Sequence, residues 1–454
     1  MRKTILAIGV CAMAGLTIVR AQPENAADAQ ASPAARYWAQ WRGPEATGVS
    51  RTATPPIEWS ETKNVRWKVE IPGRGSASPI VWGDRVYVLT AVSADGTRRA
   101  LPGVNHKFTV IAIDRKSGKT AWQHVAREEA PHEATHPDNG TFASSSAVTD
   151  GEHLIANFES RGLYAYDMTG KPVWQKDLGD KKMRNTFGEG TTPVLFGRYL
   201  VHTWDHQGQS FIVALDKRSG DELWRKTRDE IDTWATPLVV EVNGKPQVIV
   251  SGMNRIQSYD LATGEVVWHS AGLTMNPIPS PVAADGLVIL TSGFRGNSMK
   301  AIKLAEARGD ITGTPAVAWT LDRDTPYVPS PLLYDGLLYF FKTNSGVLSV
   351  FDASTGKPHY QLMRLEEVPN VFASPVGAAG RVYIPGREGA TVVLKNAPTF
   401  EKLAVNTLDD GFDASPALVD GEIYLRGQRF LYCLAADASS AGTGVALAKH
   451  PGPR

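Results

Sequence analysis

The stretch FIVALDKRSGDELWRK, at residues 211–226, contains a phrase that recurs along the chain. VIAIDRKSGKTAW at 110–122 is almost the same, and LYAYDMTGKPVW at 163–174 is a shorter version. Each has an apolar run, a segment from Asp to Gly that contains Ser or Thr, and a last run that ends on Trp. In such a turn Asp accepts backbone N–H bonds, and Gly supplies the positive φ that the bend requires. The phrase therefore predicts two short β-strands joined by a tight turn.

A second phrase precedes the first in each repeat. It has Ser-Pro or a close variant, a short apolar run, a turn with Gly, and an alternating segment with Tyr or an aliphatic residue. Its eight starts are Pro79, Ala147, Pro193, Pro237, Pro281, Pro331, Pro375 and Pro416. They lie 41 to 50 residues apart, except for the 68-residue step after Pro79, which holds the insert HEATHPDNG. Four short strands in a period of this length are typical of a β-propeller blade.

The count of strands predicts how the ring closes. The eighth unit ends at RFLYCLA without a Trp strand, whereas a spare Trp strand, NVRWKVE at 64–70, precedes the first unit. Pairing of these two segments would leave no open edge. We predict an all-β fold, a single eight-bladed β-propeller of four-stranded antiparallel blades over residues 37–435, closed by the N-terminal strand.

The residues that recur in the turns are predicted to be structural. The Asp caps are Asp114, Asp167, Asp216, Asp260 and Asp352, and the Gly partners are Gly118, Gly170, Gly220, Gly264 and Gly356. The aromatic residues predicted to wedge between blades are Trp67, Trp122, Trp174, Trp224, Trp268, Trp319 and Tyr360. A large ring buried once in each repeat contributes apolar area rather than chemistry.

The termini and the charge balance indicate an exported chain. Arg2 and Lys3 precede an apolar run that is short for a membrane span, and Val19-Arg20-Ala21 offers a cleavage site. We predict a signal peptide at 1–21 cut after Ala21, a periplasmic location, a disordered tether at 22–36 and a disordered tail at 436–454. An uncleaved anchor is one alternative, and lipidation at Cys11 is another, which the bulky Val10 disfavours.

Composition argues against nucleic acid or an anionic membrane as a partner and against an intrachain disulfide. The 48 basic and 47 acidic residues give a net charge of +1, which makes no case for nucleic acid or an anionic membrane. After cleavage Cys433 would be the remaining cysteine, so no intrachain disulfide is expected. Its place in FLYCLA predicts a small buried side chain. We predict a monomer with no membrane span in the mature chain.

The two phrases together resemble the PQQ-type repeat of quinoprotein dehydrogenases and of the BamB-like propellers of outer-membrane assembly. The resemblance covers about residues 59–435, and YWAQWRGPEATGVS at 37–50 resembles the start of secreted PQQ-like propellers. It implies either a binding scaffold, which docks an envelope protein or a small molecule, or a quinone-dependent oxidoreductase. The family's dehydrogenases carry an adjacent Cys pair over the cofactor, which one cysteine cannot form.

We therefore favour a non-catalytic binding or scaffold protein without a cofactor. The alternative is a quinoprotein dehydrogenase that binds PQQ with Ca²⁺ and lacks the Cys pair. A polysaccharide-binding or lyase propeller is a third class, which rests on the aromatic residues of the loops.

The loops that enter the innermost strands ring one mouth of a propeller's channel, and here they are rich in aromatic, amide and charged residues. The candidate ligand-binding residues are Asn139, Phe142, Arg184, Asn185, Glu189, Asp205, His206, Trp234, Asn276, Tyr327, Asn370, Phe372 and Asp413. Aromatic faces with a few convergent polar groups are typical of a ligand site. The alternative is that these residues only fill the channel.

Two His-x-x-x-His segments raise the question of a metal. His132 and His136 form one, and His202 and His206 form the other. Both lie in strand or loop context, where four residues separate side chains by roughly 13 Å, so no metal site is predicted. Asp205 beside His206 could act as a general-base pair, although no nucleophile is placed next to it.

Overall fold

The computed structural model describes residues 33–97 and 103–436 and confirms the predicted propeller. Eight antiparallel sheets of four strands form the blades, and the inner strands of successive blades lie side by side around a channel. The predicted signal peptide, most of the predicted tether and residues 437–454 fall outside the described ranges. Residues Pro33–Arg36, within the predicted tether, form one helical turn.

The strands of each blade are given from the innermost to the outermost. Blade 1 is Ile80–Trp82, Arg85–Ser93, His106–Asp114 and Thr120–Glu129; blade 2 is Val148–Thr149, His153–Asn157, Leu163–Asp167 and Pro172–Lys176; blade 3 is Val194–Phe196, Tyr199–Trp204, Phe211–Asp216 and Glu222–Thr227; blade 4 is Leu238–Val242, Lys245–Val250, Arg255–Asp260 and Val266–Ala271. Blade 5 is Val282–Ala284, Leu287–Ser292, Ser298–Lys303 and Val317–Leu321; blade 6 is Leu332–Tyr334, Leu337–Phe341, Val347–Asp352 and Pro358–Arg364; blade 7 is Val376–Ala378, Arg381–Pro385, Ala390–Lys395 and Lys402–Thr407; blade 8 is Ala417–Val419, Glu422–Arg426, Phe430–Ala435 and Val65–Glu70.

Two short strands and two helical turns complete the described secondary structure. Val49–Ser50 pairs in parallel with the inner strand of blade 7, and Gly309–Asp310 pairs in parallel with the outer strand of blade 4. Glu159–Arg161 and Arg184–Thr186 are single 3₁₀ turns. No helix in the described ranges has the length and apolar character needed to cross a bilayer.

The ring closes through the N-terminal strand, as predicted. Val65–Glu70 runs antiparallel to Phe430–Ala435, with Trp67 opposite Cys433. Cys433 is fully buried there, and burial raises the pKa of its thiol to about 12. The thiol therefore acts as a small apolar side chain within the sheet.

The repeated turn packs against the final Trp of the preceding blade, which confirms the wedge at five of the seven predicted positions. The Asp216 carboxylate accepts the Arg218 N–H at 2.9 Å, and Gly220 has φ +75°. The Trp174 indole of blade 2 donates to Lys217 O of blade 3 at 2.8 Å and covers Gly220 so closely that a Cβ there would lie 2.8 Å from the ring. The same Trp-on-Gly contact recurs for Trp67 on Gly118, Trp122 on Gly170, Trp224 on Gly264 and Trp319 on Gly356.

A belt of hydroxyl groups links the blades at the channel wall. Its members are the Ser or Thr residues that precede the eight starts, namely Ser78, Ser146, Thr192, Thr236, Ser280, Ser330, Ser374 and Ser415. From Ser78 to Ser374, each backbone N–H donates to the hydroxyl of the next member, at 2.8–3.3 Å. Seven such bonds tie the eight inner strands together. The recurrence of Ser or Thr was visible in the sequence, but this role was not predicted.

Residues 38–50, which we call the N-terminal plug, cross the channel on the far side of the belt from the loops. Their carbonyl groups accept N–H bonds from the inner strands of blades 1, 2, 6 and 7. The buried Arg42 guanidinium donates to Pro331 O and Pro375 O, both at 2.8 Å, and to Thr47 O at 3.2 Å. The Trp41 indole reaches the belt and donates to the Ser280 hydroxyl at 3.0 Å. The plug therefore closes one end of the channel.

Candidate functional site

A cavity of about 410 Å³ occupies the other end of the channel. Trp41 and six belt residues form its floor, and the loops that enter the inner strands form its walls. Six of the thirteen predicted residues line it: Asn139, Glu189, Trp234, Tyr327, Phe372 and Asp413. The structure thus brings residues from six different loops to one concave surface.

The aromatic walls of the cavity are held in place by neighbouring groups. The Trp234 indole donates to Gly188 O at 2.7 Å, and the Trp234 backbone N–H donates to Pro277 O at 2.9 Å. Tyr327 stacks on Phe294 with 4.8 Å between ring centroids. Phe187 packs against His136 at 5.1 Å. Walls fixed in this way are preformed, which lowers the entropy cost of binding a ligand.

The two partly buried carboxyl groups of the cavity are engaged by protein groups. Glu189 accepts the Ser160 N–H at 2.8 Å and the Ser160 hydroxyl at 2.7 Å. Asp413 lies 3.3 Å from the Arg387 guanidinium, which also covers the Phe372 ring at 4.6 Å. Burial raises the pKa of both carboxyl groups, and the nearby Glu159 charge adds to the effect on Glu189.

A buried ionic cluster beside the cavity supports Glu189. The Lys181 ammonium lies 2.6 Å from the Glu159 carboxylate and 4.5 Å from the centroid of Trp204. Burial opposes ionisation of Glu159, but Lys181 and His202 outweigh it and lower the pKa of Glu159. Glu159 has φ +55°, which is costly for a residue with a Cβ. This cluster holds the 3₁₀ turn whose Ser160 binds Glu189.

Several of the other predicted residues lie near the mouth but outside the cavity lining. Phe142 packs edge-on against His106 at 5.0 Å, in a small adjoining space. Arg184 pairs with Asp232 at 2.9 Å, and its neighbour Asn185 adopts φ +52°. The Asn370 amide donates to Glu388 at 2.6 Å.

Three more lie outside the cavity lining. Asn276 is buried, with φ +52°. Both carboxylate oxygens of Asp205 accept bonds from Arg228, at 2.8 and 3.1 Å. His206 instead accepts the Lys182 N–H at 3.1 Å, so Asp205 and His206 do not act together as a general-base pair.

The histidine pairs also lie in separate environments. His132 contacts Lys181 O at 2.6 Å, whereas His136 lines the cavity. His202 is fully buried, 3.5 Å from Glu159. In the described ranges, the one cluster of three potential metal ligands is Asp150, Glu152 and His153, at a turn of blade 2. The Lys217 ammonium contacts both carboxylates there, as expected of an ion-paired turn.

Sequence reasoning missed several residues of the cavity. Trp41, His136, Arg387 and Asn344 line it but were not predicted, and neither were the belt hydroxyls. The belt could have been found in the sequence, since Ser or Thr directly precedes all eight starts. No repeat pattern pointed to Trp41 as a cavity residue, because Trp41 lies outside the repeat and reaches the cavity only through the path of the plug.

The family model described as outer membrane protein assembly factor BamB matches residues 44–212 and 208–440. The chain belongs to this family. BamB of Burkholderia pseudomallei (strain K96243) is 27% identical over 229 residues, which cover 49% of this chain and 52% of the relative. BamB of Francisella salina is 31% identical over 98 residues, 22% of this chain and 17% of the relative. These matches span between about one sixth and one half of the relatives' own length.

Solved structures show the same fold at low sequence identity. BamB from Moraxella catarrhalis has a TM-score of 0.56 and 13% identity, with 81% of this chain and 98% of that chain covered. The quinohemoprotein alcohol dehydrogenase from Comamonas testosteroni has a TM-score of 0.64 and 14% identity, with 93% and 84% covered. Both likenesses concern architecture, because one propeller fold hosts unrelated functions.

A Ca²⁺–quinone pair would compete with the protein groups that already engage the two partly buried carboxylates of the cavity. Calcium takes six to eight oxygen ligands that converge on one point. Here the oxygens of Glu189 face Ser160, and Asp413 faces Arg387. Cys433 is buried in blade 8 opposite Trp67. Both of these carboxylates, Glu189 and Asp413, are thus engaged with protein groups.

Proposed function

We propose that this protein is a non-catalytic binding protein that holds its ligand in the cavity at the open mouth of the channel. The ligand is an extended segment of an envelope protein, in keeping with the name of the family, or a small molecule. The observation that carries the proposal is a preformed cavity of about 410 Å³, closed below by the plug and walled by fixed aromatic rings. Such a combination is characteristic of binding sites.

The engagement of the two partly buried carboxyl groups of the cavity supports binding rather than catalysis. General acid–base chemistry needs a titratable group within reach of the substrate. Glu189 is bound by Ser160, and Asp413 is paired with Arg387, so each already has a structural partner. Asp205, the carboxylate that the sequence offered as a general base, is bonded to Arg228 in the interior.

Site-specific cross-linking tests the location of the site. A photoreactive phenylalanine analogue replaces Tyr327 or Phe372 in the cavity, and Phe196 serves as the control. Phe196 is an exposed ring of blade 3 that borders the plug at the other end of the channel. We expect discrete adducts in envelope extracts of the native cells from the two cavity positions and none from Phe196. Equal labelling at all three positions, or none at the cavity, would contradict the proposal.

Reconstitution separates this function from a quinone-dependent dehydrogenase. PQQ and Ca²⁺ are added to the purified protein, which is then desalted and assayed for quinone absorbance and for dye reduction with alcohols and sugars. We expect neither retained absorbance nor turnover. Retained quinone together with dye reduction would replace the binding function with an oxidoreductase.

We propose export to the periplasm as the setting of this function. The basic start, the apolar run and the Val19-Arg20-Ala21 site support the proposal. Intact-mass measurement of the protein from a periplasmic fraction should give a chain that begins at Gln22. A full-length chain in the cytoplasmic fraction would be the opposite result.

A further inference from the structure

The floor of the cavity offers hydrogen-bond donors. Six belt hydroxyls line it: Thr192, Thr236, Ser280, Ser330, Ser374 and Ser415. Each accepts a backbone N–H, and within the described ranges none donates to a protein oxygen. A hydroxyl carries one donor and two acceptor positions, so the O–H of each remains available. The floor can therefore serve a ligand with several hydrogen-bond acceptors.

The walls offer apolar faces and the rim offers acceptors. Trp234 and Phe372 come from loops of different blades, and both rings line the same cavity. The negative face of an aromatic ring attracts C–H groups that carry partial positive charge. Asp138 and Asn139 at the rim add carboxylate and amide oxygens that can accept hydroxyl donors. Donors below, acceptors above and aromatic faces at the sides suit a ligand that combines hydroxyl groups with C–H faces.

The charges of the cavity disfavour an acidic ligand. Arg387 is the one Arg or Lys among its described lining residues, and it is engaged by Asp413, by Asp138 O at 2.8 Å and by the Phe372 ring. An acidic ligand would meet no uncommitted cation there. Glu189 is likewise bound by Ser160, so an incoming cation would compete with existing bonds.

We propose that the cavity binds a neutral saccharide, with one pyranose ring stacked on an aromatic wall and its hydroxyls bonded to the belt. This inference rests on the proposed function, because it names the class of ligand for the same site. A protein segment in the cavity is the competing occupant and is an outcome of the test.

Titration with defined probes tests the assignment. Tryptophan fluorescence and saturation-transfer NMR are recorded with four neutral disaccharides (maltose, cellobiose, lactose and chitobiose), with digalacturonic acid, and with a neutral peptide of alternating aromatic and hydroxyl residues. We expect saturable binding of at least one neutral disaccharide. The affinity for digalacturonic acid should be weaker than that for the neutral disaccharide by about tenfold or more. Trp234→Ala should weaken disaccharide binding by about tenfold, through the lost stacking. Phe196→Ala, at the other end of the channel, should leave it unchanged.

The outcomes separate the two levels of the proposal. Preference for digalacturonic acid or for the peptide overturns the neutral saccharide and leaves a binding site in the cavity. No binding of any neutral disaccharide also overturns it, whatever cross-linking shows at Tyr327 and Phe372. Disaccharide binding that Trp234→Ala leaves intact, in a variant with the wild-type circular dichroism spectrum, places the sugar elsewhere and refutes the assignment.

Discussion

A pair of glycine substitutions tests the contact that joins one blade to the next. Gly220 and Gly244 both lie in tight turns, with φ +75° and +74°. A Cβ at Gly220 would lie 2.8 Å from the Trp174 ring, whereas a Cβ at Gly244 would meet nothing within 4 Å. The two Gly→Ala variants therefore share the backbone strain and differ in the packing against Trp.

The expected magnitudes follow from this difference. Alanine in the left-handed region costs about 1–2 kcal/mol, which is the whole effect expected for Gly244→Ala. Overpacking adds typically about 1–3 kcal/mol, so Gly220→Ala should lower the free energy of unfolding by about 2–5 kcal/mol. The difference between the two losses in free energy of unfolding isolates the contribution of the contact with Trp174.

Urea denaturation followed by tryptophan fluorescence and circular dichroism measures both variants. A double-mutant cycle adds the decisive comparison. In a Trp174→Ala background the ring is gone, so Gly220→Ala should cost only the backbone strain of about 1–2 kcal/mol. Equal losses for Gly220→Ala and Gly244→Ala, or an undiminished loss in the Trp174→Ala background, would refute the reasoning that Trp packing on the turn holds adjacent blades together.

Three further predictions concern the belt, the plug and the cavity. Ser374→Ala removes the acceptor of the Ser330 N–H and should lower the free energy of unfolding by about 1–3 kcal/mol, whereas Ser374→Thr keeps the hydroxyl and should stay closer to wild type by urea denaturation. Arg42→Met removes the donor of three bonds to buried carbonyl oxygens, and we expect the free energy of unfolding to fall by about 2–4 kcal/mol and proteolysis within residues 38–50 to become faster; unchanged cleavage would contradict the role given to Arg42. Burial raises the pKa of Asp413 in the fold, so its contribution to stability is present at pH below the unfolded pKa and is lost as pH rises through the folded pKa. Unfolding free energies of wild type minus Asp413→Asn, measured from pH 3 to 8, should therefore fall with rising pH; a difference that rises would refute the sign.

The local code of the repeat explains why so much of the fold could be predicted. The turn from Asp216 to Gly220 is specified within five residues, because the Asp caps the turn and the Gly allows its left-handed bend. The final Trp needs only a neighbouring copy of the same turn, and it finds one at five of the eight junctions. The missing Trp strand at the C-terminus predicted closure by residues 64–70, and the pairing of Trp67 with Cys433 confirms it.

The cavity could be predicted only in outline. The loops that ring the mouth follow from the order of the strands, and six of their candidate residues line the cavity. Asp205 does not line the cavity, because the buried Arg228 guanidinium needs a carboxylate partner and binds Asp205 in the interior. Asn370 does not line the cavity either, because its amide donates to Glu388. Such pairings depend on residues 18 to 23 positions apart, which no short motif records.

The amino-acid sequence by itself determined the period, the number of blades, the hairpin turns and the strand that closes the ring, because each of these depends on backbone bonds and packing within one repeat or between neighbouring repeats. The tertiary structure decided which side chains share the cavity, how Trp41 and Arg42 close the channel, and how Ser and Thr hydroxyls join into a belt. Those features depend on contacts between residues tens to hundreds of positions apart. Such contacts exist only after the ring has closed and brought eight inner strands around one axis.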